Sequence, residues 1–79
     1  MAFAGLGAAL MREKRIDEGI VAHERAIALD PKIKGSWSDL AMAYAQKRDV
    51  TKAKLALEKL TALDKPAADA LAGRLRITL

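Results

Sequence analysis

The chain has no cysteine and few aromatic residues, and both shortages exclude classes of structure. Without cysteine, its 79 residues can form no disulfide and no thiolate metal site, and they hold no thiol nucleophile. Phenylalanine, tryptophan and tyrosine occur once each, β-branched residues are scarce, and alanine and leucine dominate the apolar positions. This composition favours helices over strands. The length allows one domain with one modest core.

Charge of one sign is in only slight excess. The formal net charge is +4, from 14 basic and 10 acidic residues, and the basic residues are scattered; Arg12 and Lys14, for example, flank Glu13. A nucleic-acid interface usually gathers lysine and arginine on one face and adds aromatic side chains for stacking. We therefore expect a solvated charged surface and no nucleic-acid partner.

The first 11 residues are uncharged and apolar, so a signal peptide or a membrane segment has to be considered. A secretory signal carries its positive charges before the apolar stretch, whereas here they follow from Arg12 onwards. The stretch is also too short to span a bilayer. We expect a helix packed in the core, no membrane insertion and a cytoplasmic location.

An internal repeat appears when the sequence is shifted against itself by 34 residues. Residues 24–30, ERAIALD, then align with residues 58–64, EKLTALD, without a gap. The same shift places Leu6 on Leu40, and Lys14 on Arg48. A fixed period of this length is typical of helical repeat proteins.

Each period contains two stretches in which apolar residues recur every three or four positions, as they do on one face of a helix. The first unit predicts helices over about 2–14 and 16–29, and the second unit predicts helices over about 36–47 and 50–63. A fifth helix is expected over about 67–77, with Leu71 and Leu75 on its apolar side.

Residues that start or stop helices support these boundaries. Asp49 is expected to cap the fourth helix. Ser36 followed by Asp39 resembles a capping box at the start of the third helix. Pro31 and Pro66 are expected to end the second and fourth helices, because proline lacks the N–H group and disfavours helical geometry in the preceding residue.

The second unit resembles the tetratricopeptide repeat, whose signature is Trp-x-x-Leu-Gly-x-x-Tyr followed by a small residue in the second helix. It carries Trp37, Leu40, Ala41, Tyr44 and then Ala53. The first unit has Phe3, Leu6, Gly7 and Leu10 in the same positions. The resemblance implies an all-α fold, an α-α superhelix of five antiparallel helices in one domain, with repeats over 1–33 and 34–67 and a capping helix over 67–78.

Few residues could carry catalysis. His23 is the only histidine, and we expect it to be packed or half-exposed rather than a ligand or a base. No Ser/His/Asp or metal-binding cluster is expected around it. Gly5 and Gly7 lie inside a helix and not after a strand, so they form no phosphate-binding loop. We predict no enzymatic activity, no catalytic residue, no metal and no cofactor.

In the family that the chain resembles, the first helix of each hairpin lines a concave groove that holds a peptide or a helix of a partner protein. The groove would be largely apolar, and its two methionines could adapt to different guests. Alternatively, some of these residues pack against the closing helix. The groove residues implied by the resemblance are Ala4, Ala8, Met11, Arg12, Ser38, Asp39, Met42, Ala45, Gln46 and Arg74.

Some family members bind chaperone C-termini through lysine and asparagine residues that hold the terminal carboxylate. Four of the corresponding positions here hold Ala4, Ala8, Asp39 and Ala70, which do not match this clamp. Only Arg74, at a further position, agrees with it. Asp39 would repel a carboxylate, so this type of binding is disfavoured.

Self-association is the main alternative function. Two hairpins bury little surface, and at least three repeats are commonly needed for stability. Apolar residues around Phe3, Leu6 and Leu10 could therefore pair with another copy, for instance in a homo-oligomer that exchanges a hairpin.

Overall fold

The computed structural model describes residues 2–77, which form five α-helices. Helices α1 (Phe3–Arg12) and α2 (Ile16–Leu29) form one hairpin, and α3 (Lys34–Gln46) and α4 (Val50–Leu63) form a second. Helix α5 (Lys65–Leu75) packs against the second hairpin. Residues 2–77 contain no strand, which confirms the predicted all-α class.

The helices differ from the predicted ones mainly at their ends. The bounds of α2 and α4 agree with the prediction, and Asp49 caps α4 by accepting a hydrogen bond from the Lys52 backbone N–H. Helix α1 ends two residues earlier than expected, at Arg12, because a tight turn follows it. Helix α5 begins at Lys65 and takes Pro66 into its first turn, where a missing N–H costs nothing.

The predicted capping box at Ser36 was wrong. Helix α3 starts two residues earlier, at Lys34, and Ile33 occupies its N-cap position without a side-chain hydrogen bond. Ser36 therefore lies inside the helix, with its side chain buried.

The turns inside the two hairpins have the same backbone geometry. Lys14 and Arg48, 34 residues apart, both adopt the left-handed conformation, with φ of 66° and 61°. In each turn the N–H of the next residue reaches back five positions at 2.9 Å, from Arg15 to the Leu10 carbonyl and from Asp49 to the Tyr44 carbonyl. This pattern closes a helix C-terminus by satisfying carbonyls that have no partner within the helix. The sequence repeat is thus also a repeat of backbone structure.

The helices form two layers. Helix α3 contacts both α1 and α5, so the first helices of the hairpins and the closing helix form one continuous inner layer. Helices α2 and α4 pack on this layer from outside, and their backbones do not come into contact along the described part of the chain. Helices α1 and α3 contact each other, whereas α2 and α4 do not. The surfaces of α1 and α3 that face away from α2 and α4 therefore lie side by side, and we call them the common inner face.

The core is concentrated in the second hairpin and α5. Leu40, Leu57 and Leu60 are almost completely buried there, and α5 contributes Leu71. Ala53, with no exposed surface, is one of the small residues that let neighbouring helices approach closely. Large side chains fill the remaining space, as in close-packed protein interiors.

Polar contacts fix the ends of the second unit. The Trp37 indole N–H donates to the Pro31 carbonyl at 2.7 Å, which joins α3 to the loop after α2. Asp64 caps α5 by accepting from the Ala67 N–H at 3.2 Å, and Lys34 donates to its other carboxylate oxygen. The Ala67 bond and, after it, Lys34 lower the pKa of Asp64 below its usual value.

Leu71 and Leu75 face the core, and Arg74 and Arg76 are exposed, as the sequence predicts. The proposed repeat limits of 1–33 and 34–67 and the capping helix over 67–78 remain predictions. Residues 1 and 78, which fall within these limits, lie outside the described range.

Candidate functional site

A shallow depression lies between α1 and α3 on their common inner face. Its volume is about 270 Å³. All of its lining residues belong to the predicted groove set, and they are Ala8, Met11, Arg12, Asp39, Met42 and Gln46. The spacing of three or four residues within each helix brings these side chains to one face.

The other four predicted groove residues do not line this depression. Ala4, Ser38 and Ala45 are half-buried elsewhere on α1 and α3. Arg74 is exposed on α5. The structure therefore brings six of the ten predicted groove residues together in one depression and leaves the other four outside it.

The depression combines an apolar floor with a polar edge. Met11 and Met42 are half-buried, and both pack against the main core with part of each side chain left accessible. Arg12 and Asp39 bring opposite charges to the edge, and Gln46 adds an uncharged amide. Such a surface can bury an apolar side chain of a guest and hydrogen-bond to its polar groups.

The depression has its present shape because α1 and α2 approach closely beneath it. A Cβ atom added to Gly19 would lie 2.7 Å from Met11 Cγ and 3.1 Å from the Gly7 carbonyl oxygen. Met11 therefore lies directly on Gly19, and a larger residue at position 19 would push it outwards. Nothing in the sequence alone marks Gly19 as support for Met11.

His23 lies below the depression in a polar cluster. Its ring is 1% exposed, and Nδ1 forms a 2.9 Å hydrogen bond with the hydroxyl of Ser36, which has no exposed surface. Nε2 lies 3.1 Å from Asp39 Oδ2 but makes no hydrogen bond of acceptable geometry with any residue between 2 and 77. Which of Nδ1 and the Ser36 hydroxyl donates in this bond depends on the tautomer of the ring.

The prediction that no Ser/His/Asp cluster surrounds His23 was therefore wrong. The cluster forms because the packing of α3 on α2 brings Ser36 and Asp39 to the ring. Both the hydroxyl and the imidazole are buried, so a substrate cannot reach the hydroxyl in this arrangement. Asp39 is the member that reaches the surface, with 27% of its side chain exposed. The cluster thus connects a buried polar contact to the edge of the depression.

Gly7 is required by the same cluster. A Cβ atom at this position would lie 2.6–2.9 Å from three atoms of the His23 ring. The repeat itself contains a signal for this arrangement, because position 23 is equivalent to Leu57 in the second unit. A polar residue in a buried apolar position indicates polar partners nearby.

On the outer side of α3, Tyr44 donates its hydroxyl to Glu24 of α2 at 3.2 Å. Partial burial, and then the charge of Glu24, raise the pKa of Tyr44 to about 12. The neutral hydroxyl therefore joins α2 to α3 throughout the ordinary pH range.

Comparison with known proteins agrees with this architecture. Residues 35–66, which cover most of α3 and α4, match the family model described as tetratricopeptide repeat. Along 95% of its length the chain is 31% identical to the chloroplastic tetratricopeptide repeat domain-containing protein PYG7 of Arabidopsis thaliana. Residues 35–66 match as one tetratricopeptide repeat, and the two matches together support a protein of the tetratricopeptide repeat family. Repeats of this family generally mediate interactions between proteins.

The similarity of this tetratricopeptide repeat chain to its relative is partial. The chain spans 27% of the length of the Arabidopsis protein. No solved structure matches it significantly. Within residues 2–77, no helix combines the length and the apolar character that crossing a membrane requires.

Proposed function

We propose that this chain is a non-catalytic protein-interaction module that holds a peptide or an amphipathic helix of a partner protein against α1 and α3. The observation that supports the proposal is the depression between these helices, with Met11 and Met42 in its floor. Exposed apolar surface at the bottom of a concave site gains free energy when a guest covers it.

The chemistry of the edge suggests which guest fits. An apolar side chain would occupy the space between the two methionines, whose flexible thioethers adapt to different shapes. Arg12 and Asp39 would each meet an opposite charge or a hydrogen-bonding group of the guest. Because Asp39 repels a free carboxylate, we expect an internal segment of the partner and not its C-terminus.

The proposal includes no cofactor, no metal and no nucleic acid. The polar cluster that resembles a catalytic arrangement has its serine and histidine buried, which suits a structural role. The basic residues are distributed along the whole chain. Neither feature supplies a reactive group or a continuous basic surface, and the cytoplasmic location also remains a prediction.

The experiment begins with peptides selected from a random display library on the immobilised full chain. The affinity of a selected, labelled peptide is then measured by fluorescence polarisation. Met42→Glu should weaken binding by about tenfold or more, because burying an unpaired carboxylate costs more than 1.4 kcal/mol. Ala8→Arg, which fills the depression from the opposite wall, should also weaken it.

Leu29→Glu is the matched control, because Leu29 is 75% exposed at the end of α2 and lies away from the depression. It makes a similar apolar-to-acidic change and should leave the affinity unchanged. Circular dichroism should show the same helix content in all variants. Equal affinities for Met42→Glu and the unmodified chain, with both folded, would contradict the proposal.

A further inference from the structure

The pair of His23 and Asp39 gives the depression between α1 and α3 a neighbour that can change charge. His23 is the only histidine of the chain, and its ring is buried. Histidine is the one side chain whose ordinary change of charge falls between about pH 5 and 8. The Nε2 atom of the ring lies 3.1 Å from Asp39 Oδ2, and Asp39 lines the depression. A charge on the ring would therefore act directly on the edge of the site where we place a guest.

The surroundings of the ring can accept it both neutral and protonated. The Ser36 hydroxyl, 2.9 Å from Nδ1, can donate or accept a hydrogen bond, so it suits either charge state. Nε2 makes no hydrogen bond of acceptable geometry with any residue between 2 and 77, so the neutral ring leaves this atom without a partner there. A proton on the ring would instead place a positive charge beside the Asp39 carboxylate.

Few other charged groups surround the ring within residues 2–77. On α1 the ring packs against Gly7, which has no side chain, and Arg12 lies further along this helix at the edge of the depression. On α3 the charged residue beside the ring is Asp39. On α2 itself, Glu24 accepts a hydrogen bond from a tyrosine on the outer side of α3. Helix α2 has no backbone contact with α4 or α5 over the described range.

A proton on the ring and a cation of a guest would compete for the same carboxylate. Asp39 pairs with no lysine or arginine of residues 2–77, and its side chain is partly exposed, so a basic residue of a guest can reach it. Once the ring is protonated, the imidazolium compensates the charge of Asp39 and repels a second cation. Binding of a basic guest therefore favours the neutral ring, and by reciprocity a protonated ring weakens that binding.

We propose that His23 makes the depression between α1 and α3 sensitive to pH, so that it holds guests with a basic residue beside Asp39 at higher pH and releases them on acidification. This inference rests on the proposed function, to which it adds a charge preference of the guest and its control by pH. The equivalent position of the second unit holds Leu57, so this control belongs to the first hairpin and its contact with α3.

The test begins with selection of peptides from one random display library on the immobilised full chain at about pH 8 and, in parallel, at about pH 5, the ends of the range in which histidine changes charge. Peptides selected at the higher pH should contain more lysine and arginine. A labelled basic peptide from that pool should bind about fivefold more weakly at the lower pH, a modest coupling because Asp39 is partly exposed to solvent.

His23→Gln is the matched control, because glutamine does not titrate in this range and can still form a hydrogen bond with Ser36. The affinity of the basic peptide for this variant should be the same at both pH values, since every other titratable group is retained. The double variant His23→Leu with Ser36→Ala should behave in the same way and replaces His23→Gln if circular dichroism shows that the latter does not fold. A folded variant that still loses affinity on acidification would overturn the proposal.

NMR of the ring nitrogens reports the charge of this single histidine directly. The signals should move from neutral to charged values as the pH falls, and the basic peptide, added at an intermediate pH, should move them back. Signals that stay neutral down to about pH 5 would overturn the proposal. Equal basic content of the two pools, with Met42→Glu still weakening binding, would also overturn it and leave the proposed function intact. Binding that Met42→Glu does not change would overturn both.

Discussion

The first hairpin buries a histidine at the position where the second hairpin buries a leucine. His23 and Leu57 are separated by one repeat period, and they are 1% and 0% exposed. Gly7 and Gly19 stand on the facing helices of the first hairpin where the second has Ala41 and Ala53. The same hairpin backbone therefore accepts a buried histidine or a buried leucine, provided that the small residues on the facing helices change from glycine to alanine along with it.

The difference between the two buried residues also affects the depression between α1 and α3. Leu57 belongs to the main apolar core, together with Leu60 and Leu71. His23 instead lies 3.1 Å from Asp39, at the edge of the depression between α1 and α3. The polar interior costs apolar burial, but it places the imidazole 3.1 Å from an acidic residue at the edge of the depression.

We expect the largest effect on stability when the buried residue of one hairpin is replaced by that of the other. Leu57→His should cost about 3–5 kcal/mol, because it loses about 2 kcal/mol of apolar burial and leaves a buried polar group without partners. A domain of this size has a total stability of about 4–12 kcal/mol, so urea unfolding should show a large loss.

The reverse exchange should be milder. His23→Leu restores apolar burial but leaves the Ser36 hydroxyl without its partner, at about 1–3 kcal/mol. Adding Ser36→Ala should recover part of that loss. If Leu57→His lowered the free energy of unfolding no more than His23→Leu does, the proposed difference between a polar interior in the first hairpin and an apolar one in the second would be contradicted.

Two glycines of α1 provide the next comparison. Gly7→Ala should destabilise the chain by about 1–3 kcal/mol despite its better helix propensity, because the added Cβ would lie within 3 Å of the buried His23 ring. Gly5→Ala should stabilise the chain by up to about 1 kcal/mol, since an added Cβ there meets no atom of residues 2–77 within 4 Å. Thermal unfolding of both variants checks this pair. A stabilising Gly7→Ala would show that the ring does not need the space.

The smallest effect concerns Tyr44, whose counterpart in the first hairpin is Leu10. The pKa of Tyr44 is raised from 10.0 to about 12, so the stability that it contributes is complete below pH 10 and is lost as the pH rises through about 12. Tyrosinate absorbance of this single tyrosine should titrate near pH 12 in the folded chain and near 10 in urea. Tyr44→Phe should lose stability less steeply over this interval; an identical slope would contradict the assignment.

The sequence predicted those features that depend on local chemistry. Asp49 and Pro31 mark helix ends whatever surrounds them, so the bounds of α2 and α4 were correct. The tetratricopeptide pattern around Trp37 predicted the fold, because its large and small residues can interlock in only a few ways.

Features that depend on packing between distant residues could not be predicted in the same way. Ser36 is an ordinary helix cap by its chemistry, and only the approach of α3 to α2 turns it into a partner of His23. Six of the predicted groove residues line the depression between α1 and α3, whereas Ala4, Ser38, Ala45 and Arg74 do not. Their place depends on how α1, α3 and α5 pack against one another, and spacing along the chain does not specify this.

The proposal that α1 and α3 hold a guest between their methionines is tested most directly by methionine methyl NMR. The chain contains three methionines, so the spectrum of isotope-labelled protein is simple, and Met42→Leu assigns the signal of Met42. Titration with a peptide selected on the full chain should shift the signals of Met11 and Met42 together, with the Kd that fluorescence polarisation gives. A peptide that binds with this Kd while both signals stay in place would contradict the account.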